Sequence, residues 1–235
     1  MYGRLVFGAS AIVFGIDQML WRDSSLWGYL HPLWAPLAAI IAWCITAALV
    51  IGGIAIMFPR TARPASVVLG AVYALSTVAV IPAIVVTPGE PGNYVNFGEQ
   101  LGIFCGALAV YATTEPSLGR VARIIFGLCT LSFAWAQVVY FKYTASLVPT
   151  WIPPSQDFWT ILTTVAFALA GIAMLINIQA RLALRLTALM IALFGILVWV
   201  PKLAVSPRDF GDWNEISSNY LMGAASWLIA ELRVF

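Results

Sequence analysis

The chain has 235 residues, of which 62% are hydrophobic and only 9% are charged, and its mean hydropathy is +0.92. A soluble domain carries roughly 25% charged residues, so the composition excludes an ordinary soluble protein and indicates an integral membrane protein in contact with a lipid bilayer. The net charge of +2 provides no electrostatic footprint for nucleic-acid binding.

Runs of about 20 apolar residues are long enough to cross a bilayer as α-helices. Pro82 and Pro201 lie near the ends of the third and seventh runs, where a missing N–H bends or frays a helix. The predicted fold class is all-α, a polytopic membrane protein with eight transmembrane helices. In chain order, the predicted spans are residues 4–21, 36–58, 65–87, 96–114, 121–141, 157–178, 182–203 and 215–232.

The second half of the sequence repeats the first. Residues Arg4, Phe7, Gly8, Phe14 and Gln18 recur in the same order and at the same spacing as Arg123, Phe126, Gly127, Phe133 and Gln137. Four helices per copy is an even number, so the two copies run in the same direction through the membrane, as parallel repeats. We therefore predict one four-helix unit in residues 1–117 and a second in residues 118–235.

The placement of the cations predicts an orientation for these helices. Eight arginines fall at the N-terminus, in the even-numbered loops and at the C-terminus, whereas the opposite side has four cations. Cytoplasmic loops are enriched in Lys and Arg, so both termini are predicted to be cytoplasmic and the other side is the outer face. The eight are Arg4, Arg60, Arg63, Arg120, Arg123, Arg181, Arg185 and Arg233, and the four are Arg22, Lys142, Lys202 and Arg208.

Polar and aromatic residues converge on the predicted outer face, where each copy has a glutamine inside an apolar span. An aromatic residue and a cation follow each glutamine at the spacing of one helical turn. Such a set suits an oxyanion or the carbonyl group of a quinone. The alternative is that the amides hydrogen-bond between helices while the cations extend to the interface. The two sets are Gln18, Trp21 and Arg22, and Gln137, Phe141 and Lys142.

Two carboxyl groups fall within the predicted spans, at Asp17 and Glu99. Acidic groups in a membrane are costly and usually face a cavity or a partner. One hypothesis pairs either carboxylate with Arg22 or Lys202 around an outer cavity; the alternative places both at the headgroups. The candidate ligand-binding residues are Asp17, Gln18, Trp21, Arg22, Glu99, Gln137, Lys142 and Lys202.

The sequence predicts no catalytic residue, no metal site and no intrinsic cofactor. The three cysteines lack Cys-x-x-Cys spacing, and the single histidine, His31, cannot supply bis-histidine haem ligation. Phosphate-binding and hydrolase motifs are missing as well. An enzymatic activity of the chain alone is therefore not expected.

Several segments resemble the DoxX-like family of membrane proteins. The resemblance rests on Arg123–Gly127, on Val148–Pro154 with its Val-Pro-x-Trp-x-Pro pattern, on Gly171–Ile176 and on Trp199–Pro201, with weaker matches at Arg4–Gly8 and Pro32–Pro36. It implies a tandem duplication of a four-helix unit in a bacterial or archaeal cytoplasmic membrane, and a link to quinone or redox chemistry.

Three functions are compatible with these features. The first is a membrane subunit that docks a redox partner or binds a quinone-like or lipid-like molecule at the outer face. Any electron transfer would then use bound quinone or a partner's cofactor. The second is a structural subunit of a larger membrane complex. The third is a small-molecule or ion carrier that uses Asp17 and Glu99.

The predicted orientation can be tested by labelling. A cysteine introduced in the loop at residues 60–63 should resist an impermeant thiol reagent in intact cells, because that loop is predicted to be cytoplasmic. Ready labelling of this cysteine would contradict the orientation.

Overall fold

The computed structural model describes residues 2–21 and 38–233, and these form helices and connecting turns without a β-strand. The predicted all-α class is confirmed for this part of the chain. The helices are α1 (Tyr2–Trp21), α2 (Ala38–Met57), α3 (Ala62–Val86), α4 (Pro91–Tyr111), α5 (Pro116–Val139), α6 (Phe141–Leu147), α7 (Gln156–Ile176), α8 (Ala180–Phe194), α9 (Val200–Val205) and α10 (Phe210–Ala230).

Among the described residues, five helical segments are long and apolar enough to cross a membrane. They are Tyr2–Leu20, α3, α5, α7 and the continuous helix Ala180–Val205. This finding agrees with the membrane protein that the composition predicts. The apolar stretch described in α2 is shorter, Trp43–Met57, and α4 and α10 contain more polar side chains. That these three helices also cross the membrane stays a prediction.

A π-helical turn, Gly195–Trp199, joins α8 to α9. Within it, the N–H of Val200 donates to the carbonyl of Gly195, five residues earlier. Pro201 follows directly and has no N–H to donate in a regular helical hydrogen bond. The irregular turn therefore lies where the sequence predicts a bent or frayed helix. Pro82 disturbs its helix less, because α3 continues to Val86.

Side-chain caps define where α4, α7 and α10 begin. The carboxylate of Glu90 accepts from the N–H of Gly92 (3.3 Å), and that of Asp209 accepts from the N–H of Asp212 (3.0 Å). The hydroxyl of Ser155 accepts from the N–H of Phe158 (3.2 Å). Each cap satisfies a backbone donor that the first turn of a helix leaves unpaired.

The long helices form a closed cycle of contacts. Along this cycle α1 packs on α2, α2 on α3, α3 on α4, α4 on α5, α5 on α7, α7 on α8, α8 on α10 and α10 on α1. In addition, α4 and α10 pack against each other across the cycle. These two helices therefore lie in the interior of the bundle.

The interior position of α4 and α10 explains why they are less apolar than their neighbours. Their side chains at Gln100, Ser217 and Ser218 are between 3% and 4% exposed, and Ser226 is fully buried. The Ser226 hydroxyl donates to the carbonyl of Leu184 on α8 (2.7 Å). In a membrane, polar groups are tolerated where protein covers them, and the surrounding apolar helices provide that cover.

A pair of glycines brings α1 and α2 into close contact. A Cβ atom added at Gly53 would lie 2.7 Å from the carbonyl oxygen of Gly8 and 2.8 Å from Cγ1 of Ile12. No side chain fits between these two backbones, which is the usual role of small residues between membrane helices.

The substitution Gly53→Val should therefore force α1 and α2 apart and destabilise the protein by about 1–3 kcal/mol, the usual cost of overpacking. The matched control is Gly89→Val, since no atom lies within 4 Å of a Cβ atom at Gly89. Thermal unfolding in detergent, followed by circular dichroism, measures both variants. Equal unfolding temperatures would contradict the close contact.

Candidate functional site

Two adjoining cavities lie beside the interior helices, at the bundle end that contains the loop 87–90, the short helix α6 and the loop 148–155. Cavity A has a volume of about 270 Å³ and cavity B about 320 Å³. Together they have the size of a site for a small molecule. Because they share part of their lining, we treat them as one site, the joint cavity. The shared residues are Gln137, Thr144, Leu147, Phe194, Glu215 and Asn219.

Aromatic and aliphatic side chains form most of the wall of the joint cavity. The ring of Phe167 lies between those of Phe133 and Phe194, with centroid distances of 5.9 and 6.1 Å. In cavity B the π-helical turn contributes Leu197 and Trp199. The π turn thus places side chains in the wall, as such turns often do at functional sites.

Gln137 is one of the two side-chain amides that both cavities share, the other being Asn219. The Oε1 atom of Gln137 accepts hydrogen bonds from the hydroxyls of Thr163 (3.1 Å) and Thr164 (2.8 Å) on α7. These bonds occupy the amide oxygen and fix the side chain. The Nε2 group of Gln137 is then the part of the amide that is available to donate to a ligand carbonyl.

Carboxyl groups enter cavity A from both interior helices. Glu99 comes from α4 and Glu215 from α10, and the two charges act on each other. Ser218 and Asn219 extend the polar wall along α10. Two carboxylates in one apolar site repel each other, so the wall favours a bound proton or cation.

The short helix α6 and the following loop cover one side of the joint cavity. Tyr143, Thr144 and Leu147 of α6 line cavity A, and Val148 and Ile152 of the loop line cavity B. The loop is tied down where the side-chain amide of Gln156 donates to the carbonyl of Val148 and where Nε1 of Trp159 donates to the carbonyl of Pro153 (2.9 Å).

Two tyrosines near α6 keep their phenolic protons. The hydroxyl of Tyr140 donates to Oε1 of Glu90 (2.7 Å), and this bond raises the pKa of Tyr140. Burial, with the nearby carboxylates of Glu215 and Asp212, raises the pKa of Tyr143. Both phenols therefore act as hydrogen-bond donors, and that of Tyr143 belongs to the cavity wall.

The structure brings together only some of the residues predicted to bind a ligand. Gln137 and Glu99 line the joint cavity. Asp17 and Gln18 are buried in α1, outside both cavities, and Asp17 accepts from the hydroxyl of Ser217 (3.2 Å) rather than pairing with Lys202. The side chain of Trp21 and all of Arg22 lie outside the described residues.

The two predicted lysines do not line the joint cavity. The helix breaks at Tyr140, so Lys142 belongs to α6 instead of continuing the face of Gln137, and its side chain is exposed. Lys202 lies with its Nζ 4.8 Å from the centroid of the Trp199 ring, and its charge acts on Glu215. The predicted amide–aromatic–cation set is therefore not assembled on one helical face at Gln137.

Three further residues of the cavity wall were not among the predicted binding residues, namely Glu215, Ser218 and Asn219. Their spacing could have identified them, because Ser218 and Asn219 follow Glu215 by three and four positions, and residues so spaced lie on the same face of a helix. Met222 completes this face and also lines cavity A. A helical projection that starts at Glu215 would have revealed the polar positions of the face that lines cavity A.

The glutamines at matching positions of the two predicted repeats have different surroundings. Whereas Gln137 is bonded to two threonines, Gln18 is 1% exposed and both of its amide atoms lack a partner among the described residues. A buried amide without partners is destabilising. Gln137 thus bonds α5 to α7, whereas Gln18 makes no such bond among the described residues.

Comparison of the chain with protein-family models, curated proteins and solved structures gives no match.

The substitutions Gln18→Leu and Gln137→Leu test the difference between the two amides. We expect Gln137→Leu to lower the free energy of unfolding by about 1 kcal/mol, because it removes hydrogen bonds between α5 and α7. Gln18→Leu should leave it unchanged or raise it. The measurement is reversible unfolding in detergent, and an equal loss in both variants would contradict the assignment.

Proposed function

We propose that this chain is an integral membrane protein of eight spans that binds a quinone-like or lipid-like molecule in the joint cavity. The observation that carries the proposal is the cavity itself. It combines aromatic walls with a few polar groups at one end of the bundle, which is the usual composition of a ligand site. A quinone carbonyl would accept from Nε2 of Gln137 or from the phenol of Tyr143.

The packing order supports an arrangement in two four-helix units, residues 1–117 and 118–235. In the first half, α1 packs on α2, α2 on α3 and α3 on α4. The corresponding contacts in the second half are those of α5 with α7, α7 with α8 and α8 with α10. The contact between α4 and α5 has its counterpart in the contact between α10 and α1. This is the pattern that two parallel copies around an axis along the membrane normal would give.

Local hydrogen bonds support the same arrangement. Before α4, the N–H of Glu90 donates to the carbonyl of Thr87 (3.1 Å), and before α10 the N–H of Asp209 donates to the carbonyl of Ser206 (3.0 Å). The Tyr94 hydroxyl donates to the carbonyl of Pro88 (3.1 Å). At the equivalent position, Nε1 of Trp213 donates to the carbonyl of Pro207 (3.0 Å).

The glycine contacts also occur in both halves. A Cβ atom at Gly171 on α7 would lie 2.9 Å from the carbonyl oxygen of Gly127 on α5, which matches the contact between Gly53 and Gly8. Together with the resemblance to DoxX-like proteins, these features support a tandem four-helix protein. The resemblance supports a bacterial or archaeal cytoplasmic membrane, and the placement of the arginines supports cytoplasmic termini. The protein would then associate with a redox partner or with a larger membrane complex.

A carrier is the second candidate function, and the facing carboxyl groups of Glu99 and Glu215 favour it. Acidic side chains inside a membrane bundle commonly mark a path for protons or cations. The carrier would use the same joint cavity, with Glu99 as predicted and Glu215 in place of Asp17.

Binding in the joint cavity can be tested with Ala136→Leu. Ala136 lines cavity A, so the larger side chain should fill it and weaken binding of a short-chain quinone or a lipid by about tenfold or more. The control is Val138→Leu on the same helix, because Val138 is 63% exposed and lies outside both cavities.

Binding can be followed by quenching of tryptophan fluorescence, since Trp159 and Trp199 line cavity B. Mass spectrometry of molecules extracted from the purified protein gives an independent measurement. The proposal fails if the wild-type protein neither retains nor binds such a molecule, or if Ala136→Leu binds it as tightly as Val138→Leu does.

A further inference from the structure

The carboxyl group of Asp17 is buried in the first half of the chain, away from the joint cavity. Its side chain is 3% exposed, and the hydroxyl of Ser217 on α10 donates to its Oδ2 atom (3.2 Å). Within the described part of the chain, no lysine or arginine acts on this carboxyl group. A buried carboxylate is costly without a positive charge beside it, so Asp17 must hold a proton or face a cation.

Asn214 places an acceptor beside this pair on α10. It lies one helical turn before Ser217, and residues so spaced share a helix face. That face packs on α1, because Ser217 bonds to Asp17 there. The Oδ1 atom of Asn214 is buried and has no hydrogen-bond partner among the described residues.

Gln18 points from α1 into the interior of the first half. It lies about three helical turns from Phe7, on the same face of α1. The ring of Phe7 contacts that of Tyr73 on α3, with centroids 6.2 Å apart, and its edge lies against Gly106 on α4. Gln18 is 1% exposed, and both of its amide atoms lack a partner among the described residues. The face of Phe7 thus directs this amide toward α3 and α4.

Gln100 approaches the same interior from α4. It shares a helix face with Ile103 and Ala107, and a Cβ atom added at Gly70 of α3 would lie 3.7 Å from that of Ala107. Gln100 is 4% exposed, and its Oε1 atom has no partner in the described part of the chain. Gln18 and Gln100 therefore both face the space between α1, α3, α4 and α10.

These groups lie at a similar depth in the bundle. Helices α1, α4 and α10 meet at Gly106, where an added Cβ atom would lie 2.6 Å from both Cε2 of Phe7 and Cβ of Ala225. At a rise of about 1.5 Å per residue, Asp17 lies about 15 Å and Gln100 about 9 Å from this meeting point. Both lie toward the bundle end with the loop 87–90, and their side chains can bridge the remaining difference.

The chemistry of this cluster favours a cation over a proton. A protonated Asp17 carboxyl has one O–H and would satisfy one acceptor, whereas a hard cation contacts several oxygen ligands at once. A single carboxylate balances one positive charge, while calcium sites draw on several carboxylates. Lys202 acts on Glu215 at the joint cavity and does not supply this charge.

We propose that the chain binds one alkali-metal cation between α1, α4 and α10. Its ligands are oxygens of Asp17, Gln18, Gln100, Asn214 and Ser217. The site is separate from the joint cavity, because none of these residues lines cavity A or cavity B. The bound ion also fastens α1 to the interior helices, so the stability of the protein depends on the cation.

The experiment compares thermal unfolding of the full chain in detergent with sodium, potassium or choline chloride at equal ionic strength. We expect sodium or potassium to raise the unfolding temperature by about 3 °C or more relative to choline. A ligand that binds only the folded state stabilises it, and choline is too large for a buried oxygen cluster. Equilibrium dialysis with a radioactive isotope of the stabilising ion should show one saturable site.

The variant Asp17→Asn should abolish both the temperature rise and the saturable binding. Gln100→Met removes one ligand oxygen with little change in volume, so the half-maximal cation concentration should rise about tenfold. Asp157→Asn is the matched control, because Asp157 is exposed and lies on α7. In choline chloride, Gln18→Leu should still not destabilise the protein, as expected for an amide without a partner. Where Asp17→Asn fails to fold, Gln100→Met and the salt comparison on the wild-type protein decide.

Equal unfolding temperatures in the three salts, without saturable cation binding, would overturn the cation site. A response that Asp17→Asn keeps and Glu99→Gln loses would also overturn it, because the ion would then lie in the joint cavity. Quinone or lipid binding measured in choline chloride tests the proposed function separately. Its failure would leave the cation site in place, and failure of the cation site would leave the joint cavity unaffected.

Discussion

The structure depends on one constraint: the polar side chains of α4 and α10 must be covered by protein if the chain is to lie in a membrane. Gln100, Ser217 and Ser226 are buried where these helices meet their neighbours. Unpaired polar groups are costly in hydrocarbon, so the more apolar helices pack around this pair. The cycle of helix contacts and the close glycine packing follow from this requirement.

The same constraint gives the joint cavity its chemistry. Because α4 and α10 lie inside, Glu99 and Glu215 line a cavity at one end of the bundle, where the side chain of Glu215 is exposed. The opposite walls come from α5, α7 and α8, which are apolar and supply Phe133, Phe167 and Phe194. The π turn before Pro201 adds Trp199 to that wall. One site thus combines carboxyl groups on one wall with aromatic rings on the others.

Sequence alone predicted the all-α class and the five most apolar helical segments, because length and hydropathy report directly on apolar helices. It also identified Gln137 and Glu99, since polar residues inside apolar spans are conspicuous. It missed Glu215, because the less apolar start of α10 resembles an interfacial segment. It misplaced Lys142, because the helix break at Tyr140 has no proline or glycine to signal it. Burial and tertiary contacts decide these features, and a one-dimensional pattern does not contain them.

The most direct measurement is a density map of the protein purified in mild detergent. The map should show α4 packed against α10 with the other long helices around them, and additional density in the joint cavity between Gln137 and Glu215. A map in which α10 lies at the lipid-facing edge, or in which protein side chains fill the joint cavity, would contradict the account.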